Sequence, residues 1–484
     1  MQLQNSSLLQ TQSFINNKWV QAKSGKTFKV LNPANGEVVA NVADCTAIET
    51  EQAVKGANAA FPLWRSTTAK ERSDLLRRWF NLVMENADDL ALLMTTEQGK
   101  PIKEARGEIT YGASFIEWFA EEARRMYGDV IPTPKNDRRI ITFKQPVGVV
   151  GAITPWNFPV SMITRKISPA IAAGCTVVIK PASQTPLCAL ALAQLALEAG
   201  FPAGVINVIT STNASEIGQT LTTHPLVMKI SFTGSTKVGK LLMQQSASTV
   251  KKISLELGGN APLIVFNDAD IPTAVKGTLA SKYRNAGQTC VCANRIFVQE
   301  KIYPAFMKEY KKAVAALKVG NGADDGIDIG PLIDDDAVKK VNRLLKDAVK
   351  KGAELTLGGN SHKAGRLFVE PSIIEGCNNK MALSKEEIFG PVSAIYKFGT
   401  DEEPVAIAND TEYGLASYFF TKGLNRAFKV AEALDYGIVG INEGIVSHAE
   451  APFGGMKESG IGREGSKYGM EEYVEVKYLC FGGM

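Results

Sequence analysis

Val147-Gly-Val-Val-Gly-Ala-Ile153, followed at once by Thr154-Pro-Trp-Asn-Phe-Pro159, sets the reading of this chain. The first run is small and β-rich, the second is made of turn-formers and aromatics, so a buried strand leads into a rigid loop. The same alternation continues downstream. Thr176-Val-Val-Ile-Lys180 is a short buried strand, and Pro186–Ala199 has helical spacing and stops at Gly200. Val205-Ile-Asn-Val-Ile209 is the next strand, Thr212–Thr222 is mainly helical, Lys229-Ile-Ser-Phe232 is a strand and Val238–Gln245 a helix. Strand–helix alternation at this spacing predicts a parallel, doubly wound sheet.

Upstream, Ala47–Trp64 and Ala69–Gly99 carry apolar residues at helical spacing with few breakers. Ile140–Phe143 reads as a strand separated from Val147 by a Gln-Pro turn. A second series starts near Leu263-Ile-Val-Phe266 and runs through a helix over Ile271–Asn285, a strand over Arg295–Gln299 and a helix over Tyr303–Leu317, continuing to about Gly440. The tail Tyr473-Val-Glu-Val-Lys-Tyr-Leu479 is a strand with no sequential partner, as expected of one that closes a distant sheet or pairs with another subunit.

At 484 residues the chain is too long for one hydrophobic core. Its 45% apolar and 21% charged residues are ordinary for a soluble protein, and a formal net charge of +4 gives no clustered field for nucleic acid or a membrane surface. No run of about 18 uncharged apolar residues occurs, and the start lacks a basic segment followed by an apolar one. Seven scattered cysteines argue against a disulfide framework and for a reducing cytoplasm. His224, His362 and His448 are the only histidines, none paired at metal-binding spacing, so no metal is expected.

Four segments carry chemistry. Asn285-Ala-Gly-Gln-Thr-Cys290 is a small-residue turn that delivers a cysteine toward a strand, although a free cysteine taken alone is more commonly a small buried hydrophobe. Ser254-Leu-Glu-Leu-Gly-Gly-Asn-Ala-Pro262 sets Glu256 among leucines, surroundings that disfavour its charged form and tune it toward a general base. Thr154–Pro159 holds Asn157 between aromatics and prolines, which suits an amide that must aim at one place. Phe232-Thr-Gly-Ser-Thr-Lys-Val-Gly239 follows a strand and opens a helix, so its backbone N–H groups are placed for a phosphate. Gly234–Lys240 imitates a phosphate-binding NTPase loop, but Leu241 stands where a magnesium-binding hydroxyl is required, which rejects that class.

Taken together, Thr154–Pro159, Lys180-Pro-Ala-Ser-x-x-Pro186, Phe232–Gly239, Leu255-Glu-Leu-Gly-Gly259, Gly287-Gln-Thr-Cys290, Glu387-Ile-Phe-Gly-Pro391 and Pro452-Phe-Gly-Gly455 occur in the order seen in aldehyde dehydrogenases. The chain resembles that family from about Phe14 to its end. Ser281–Arg295 with its Cys-x-Cys, Gly444-Ile-Val-Ser447 and Gly462–Gly469 resemble the succinate-semialdehyde dehydrogenase branch.

That resemblance implies roles. Cys290 attacks the aldehyde as thiolate, Asn157 and the Cys290 N–H hold the oxyanion, and Glu256 activates the water that hydrolyses the thioester left after hydride transfer. The nicotinamide cofactor is expected at Ile153, Thr154, Pro155, Trp156, Lys180, Ala182, Ser183, Gly234, Ser235, Gly239, Leu257, Glu387 and Phe389. NADP is expected to be preferred over NAD, because Ser183 occupies a position where NAD-preferring members often carry a glutamate that repels a 2′-phosphate; the competing reading of Ser183 is a helix cap. Arg165, Arg284 and Ser447 are implied to bind a distal carboxylate on the substrate. Cys290 and Cys292 are expected to form a reversible, strained disulfide under oxidation.

The expected fold class is α/β: a Rossmann-like cofactor domain (1–125 and 146–257), a catalytic α/β domain (258–445), a bridging or oligomerisation β element (126–145 and 472–484), and a return to the cofactor domain (446–471). The expected function is NADP- or NAD-dependent oxidation of succinate semialdehyde by a cytoplasmic homodimer or homotetramer. Glutarate semialdehyde or another ω-carboxylated aldehyde is the alternative substrate, and a crystallin-like structural protein is the non-enzymatic alternative.

Overall fold

Five largely buried parallel strands form the centre of an eight-stranded sheet in a computed structural model that describes residues 2–483. Across the sheet they lie in the order Ile206–Val208, Thr176–Lys180, Val149–Ile153, Val227–Thr233 and Lys252–Glu256. Near-continuous apolar runs are what strands covered by helices on both faces require. From Val149–Ile153 the chain first steps one way across the sheet, then returns and steps the other way. The point where the order reverses lies between Val149–Ile153 and Val227–Thr233, and such sheets bind ligands outside the carboxyl ends of their strands there. Ser13–Ile15 with Lys18–Val20 closes one edge antiparallel, and Gly460–Ile461 closes the other against Leu255 and Glu256.

A seven-stranded sheet holds the second series, with six parallel strands in the order Ser372–Glu375, Val392–Phe398, Arg295–Gln299, Pro262–Val265, Ala416–Phe420 and Ile438–Ile441. Separate buried clusters underlie the two sheets, one including Trp79, Phe115 and Ile179, the other Phe266, Tyr310 and Phe419. The tail strand does find a partner within the chain: Val474–Gly482 pairs antiparallel along Arg138–Pro146, and Val130–Ile131 adds a third strand. Among the described residues no helix is long and apolar enough to cross a membrane.

Two local expectations are corrected. The single helix expected over Ala69–Gly99 is two, Ala69–Glu85 and Ala87–Gln98, broken at Asn86. The Asn86 amide donates to the Leu82 carbonyl at 2.8 Å, the side-chain competition with backbone that makes asparagine a poor helix interior. Gln145-Pro146 is not a turn either. Both stay in register opposite Glu475 and Val474, and the proline sits at the strand's last position, where a missing N–H is tolerated.

Candidate active site

The carboxyl ends of the central strands bring three of the chemical segments together. Val149–Ile153 runs into the Asn157 loop, whose Thr154 N–H donates to the Lys180 carbonyl at 3.1 Å. Val227–Thr233 runs into Gly234, whose N–H donates to the Glu256 carbonyl at the end of the neighbouring strand, also at 3.1 Å. Ser235 accepts from the Val238 N–H and so caps the helix Thr236–Ser246, directing that helix N-terminus toward the same edge.

Cys290 arrives from the other sheet. After the helix Ile271–Tyr283, Asn285 (φ +53°), Ala286 (φ +55°) and Gly287 (φ +75°) are left-handed in succession, a conformation costing a non-glycine residue about 1–2 kcal/mol. Several buried side chains fix it. Glu104 accepts from the Asn285 N–H at 2.8 Å, and Gln98 donates to Asn285 Oδ1 at 3.0 Å. Asn285 Nδ2 donates to the Asn157 carbonyl at 3.0 Å, which ties the two loops together. Gly287 is obligatory, since a Cβ there would lie 2.2 Å from the Gly390 carbonyl oxygen. Lys100, ion-paired with Glu108, donates to the same Asn157 carbonyl at 2.8 Å.

The result is a cleft of about 230 Å³ lined by Pro155, Trp156, Asn157, Thr233, Gly234, Ser235, Gly258, Cys290, Lys340, Glu387 and Phe389. Cys290 is half-buried in it, and among the described residues its N–H donates to no protein acceptor. One Asn157 Nδ2 proton goes to the Gln288 carbonyl at 3.1 Å, leaving the second for another acceptor. Trp156 and Phe389 meet edge-on at 5.7 Å, and Glu387 accepts from the Gly259 N–H at 3.4 Å. Lys180, Ala182 and Ser183 follow one another at the end of their strand, beside this cleft in the sheet order; Leu257 and Gly239 are buried behind the Ser235 turn. Ser183 caps no helix. Leu187–Ala199 has no side-chain cap of its own, and the buried Glu97 accepts from the Leu187 and Cys188 N–H groups at 2.8 Å each.

Burial dominates the electrostatics. It pushes the Cys290 thiol up to about 12, with Arg165 and Arg284 pulling down and Glu387 and Glu256 pushing up. It also raises the Glu256 carboxyl well above the usual range, and Glu464 adds to the rise while Arg165, Lys166 and Arg463 oppose it. For Glu464 burial pushes up too, but Arg165 and Lys166, both ion-paired with it, hold it below the ordinary value. Lys180 is lowered to about 8 by burial, against Asp44, and Glu387 is raised to about 7 by burial, against Lys340.

Arg165 is buried on the helix Ser161–Ala173 with its guanidinium 4.4 Å from the Phe453 ring centre. Besides its pairing with Glu464 it keeps an unbonded Nη2. Arg284 is half-buried and lies 5.4 Å from the Phe158 ring centre. Ser447 is half-buried in the loop after Ile438–Ile441. All three act on one phenol, Tyr111, so they share a chamber. Cys292 is buried and its thiol donates to the Lys282 carbonyl at 3.4 Å. Sequence reading missed Tyr111, Glu104, Lys166, Lys340 and Glu464. Glu464 lies within the run Gly462–Gly469 and Lys166 next to Arg165 in Ser161–Lys166, but nothing in either run shows that the two meet.

A doubly wound nucleotide-type sheet whose carboxyl edge faces a cysteine, a buried carboxylate and an oriented amide defines a thiol-dependent, dinucleotide-using oxidoreductase. The aldehyde dehydrogenase family model matches residues 19–479, and the chain belongs to that family. It is 57% identical over 482 residues to the NADP(+) succinate-semialdehyde dehydrogenase of Escherichia coli (strain K12), covering 100% of both chains. It is 56% identical over 484 residues to the glutarate-semialdehyde dehydrogenase of Pseudomonas aeruginosa, again over 100% of both. The crystal structure of an E. coli NADP-dependent enzyme superposes with a TM-score of 0.99 at 56% identity, covering 99% of this chain and 100% of that one.

Proposed function

We propose that the protein oxidises succinate semialdehyde to succinate through a thioester on Cys290, with NADP preferred over NAD. The observation that carries this reading is the pair of guanidiniums beside the thiol. Arg165 and Arg284 both act on Cys290 and both face Tyr111, and Arg165 keeps an unbonded Nη2. A chamber with two cations next to a nucleophile selects an aldehyde with an anion at its far end.

Each step draws on named groups. The Cys290 proton goes to Glu256, which burial makes a strong base, and the thiolate adds to the aldehyde carbon. The Cys290 N–H and the free Asn157 Nδ2 proton receive the oxyanion of the resulting hemithioacetal. The nicotinamide, when bound, supplies the oxidant that converts this adduct to the thioester. Glu256 releases the thiol's proton to solvent and then takes a proton from water as that water attacks the thioester carbon; the C–S bond breaks, Cys290 leaves as thiolate and the acid departs. The cofactor is held at Ile153–Trp156, Lys180, Ala182, Ser183, Gly234, Ser235, Gly239 and Leu257, with Glu387 and Phe389 at the nicotinamide end. The residues present fit such a group. Among the described residues Thr154 and Thr233 carry buried hydroxyls without hydrogen-bond partners, and Ser235 is exposed at a helix N-terminus. Ser183 is half-buried, is engaged in no cap and stands close in sequence to Lys180, a pairing suited to a 2′-phosphate.

We read residues 1–125 with 146–257 as the cofactor half, 258–445 as the catalytic half, 126–145 with 472–484 as the bridging element and 446–471 as the return. A reducing compartment such as the cytoplasm suits seven unpaired cysteines. Under oxidation Cys292 would leave the Lys282 carbonyl and join Cys290, an i, i+2 bond that thiols reverse readily. Glutarate semialdehyde is the second reading, favoured by the Pseudomonas relative; one methylene changes binding by about 1–3 kcal/mol. The test is a steady-state screen of C3–C6 aldehydes with and without an ω-carboxylate, using both nicotinamides. Succinate semialdehyde with NADP should have the highest kcat/KM, and equal rates with uncharged aldehydes would contradict the reading.

A further inference from the structure

Tyr111 lies on the helix Ile102–Glu122, which packs against the helix Ser161–Ala173 that carries Arg165. The two helices come closest at Gly112. A Cβ on that residue would lie 2.7 Å from Val160 Cγ1 and 3.3 Å from the Ser161 nitrogen, so the crossing depends on having no side chain there. This approach carries the neighbouring phenol to the start of the Arg165 helix. The Tyr111 ring packs edge-on against the buried Phe115 at 5.0 Å, which fixes its plane. Its hydroxyl is buried and makes no hydrogen bond of good geometry among the described residues.

The polar groups that face this hydroxyl are Arg165, Arg284 and Ser447; Arg165 and Ser447 approach it as hydrogen-bonding neighbours, yet neither makes a bond of good geometry to it. Arg165 Nη2 is unpartnered as well. Buried polar groups are almost always bonded, so donors converging without an acceptor describe a place where the acceptor comes with the ligand. A carboxylate has about four lone-pair positions and can accept from a hydroxyl as well as from guanidiniums.

We propose that Tyr111 is a further specificity-determining residue, whose hydroxyl donates to the distal carboxylate of the substrate between Arg165 and Ser447. The assignment rests on the carboxylated-aldehyde reading above. A phenol buried beside two cations is raised by desolvation and lowered by Arg165 and Arg284, with desolvation prevailing, so it remains a protonated donor through the neutral range. As a neutral group it adds direction without adding charge, favouring anions whose oxygens reach that spot over anions that merely sit in the positive field.

Tyr111→Phe keeps the ring and removes only the donor. With succinate semialdehyde, kcat/KM should fall about tenfold, chiefly through KM, as for a lost hydrogen bond to a charged group. With butanal it should change less than about twofold on the same grounds, since no acceptor is lost. The dissociation constant of succinate, measured by calorimetry without turnover, should rise by a similar factor, and the thermal midpoint should stay close to that of the wild type. An unchanged succinate affinity with an unchanged aldehyde ratio, or equal losses for both aldehydes, would reduce Tyr111 to packing. The underlying reading fails separately, and takes this assignment with it, if the wild type itself turns over butanal as well as succinate semialdehyde.

Discussion

Cys290 and Glu256 show how burial bears on two groups at once. Burial makes the thiol reluctant to ionise and also raises the carboxyl well above its ordinary range, so Glu256 is a stronger proton acceptor than a glutamate in water. Cys290→Ser should therefore lower turnover by on the order of 10³ or more, since a hydroxyl in the same place has no thiolate character. Glu256→Gln should lower kcat by roughly 10²–10⁴ and leave thioester hydrolysis as the slow step, seen as acyl-enzyme trapped by mass spectrometry. Lys180 gives a pH test with a definite sign. Its ammonium is charged below about 8 and neutral above, so NADP affinity in the free enzyme should weaken as pH rises past about 8 while NAD affinity moves little. Titrating both dissociation constants from pH 6.5 to 9.5 checks this, and parallel curves would place Lys180 away from the 2′-phosphate. Local segments spelled out Cys290, Glu256 and Asn157 because each stands in a distinctive run. Glu464 was illegible because its meaning lies in Lys166, 298 residues away, and Tyr111 because it sits in an ordinary helical pattern.

The loop Asn285–Gly287 holds three left-handed residues in place through Glu104, Gln98 and the Gly390 carbonyl. Gly287→Ala should destabilise by about 1–3 kcal/mol from backbone strain, and it should reduce kcat by tenfold or more because the displaced loop carries Cys290. Chemical denaturation alongside turnover separates the two effects; full activity would mean that the loop tolerates the shift. The strands and helices were legible because apolar runs of strand length alternate with helical spacing. The errors occurred where a local cue was outweighed. Asn86 breaks a helix that periodicity alone would continue, and Gln145-Pro146 stays extended because nine residues of the tail strand pair along it. That partner lies more than three hundred residues downstream in sequence and leaves no mark on the Gln-Pro pair itself.

Across the whole molecule, the proposed roles fall to residues from both sheets. The tail strand Val474–Gly482 forms one edge of its three-stranded sheet and exposes Val476, Tyr478 and Phe481, an edge of the kind that recruits a second chain. If a second copy covers it, Val476→Lys with Tyr478→Lys should yield a smaller species by light scattering; an unchanged mass would place the subunit contact elsewhere. The proposed substrate chamber draws on both sheets as well. Arg165 and Glu464 come from segments tied to the first sheet, while Cys290 and Arg284 come from the segment that enters the second. Arg165 is held by Glu464, so its removal would also strand a buried carboxylate. Arg284 has no carboxylate ion pair among the described residues and makes the cleaner probe. The most direct measurement is therefore the effect of Arg284→Leu on kcat/KM for succinate semialdehyde and for butanal. A charge-assisted bond contributes about 1.5–3 kcal/mol, so the first should fall roughly tenfold to a hundredfold while the second holds or rises. Equal losses for the two aldehydes would contradict the carboxylate-binding chamber and leave an aldehyde dehydrogenase of another substrate class.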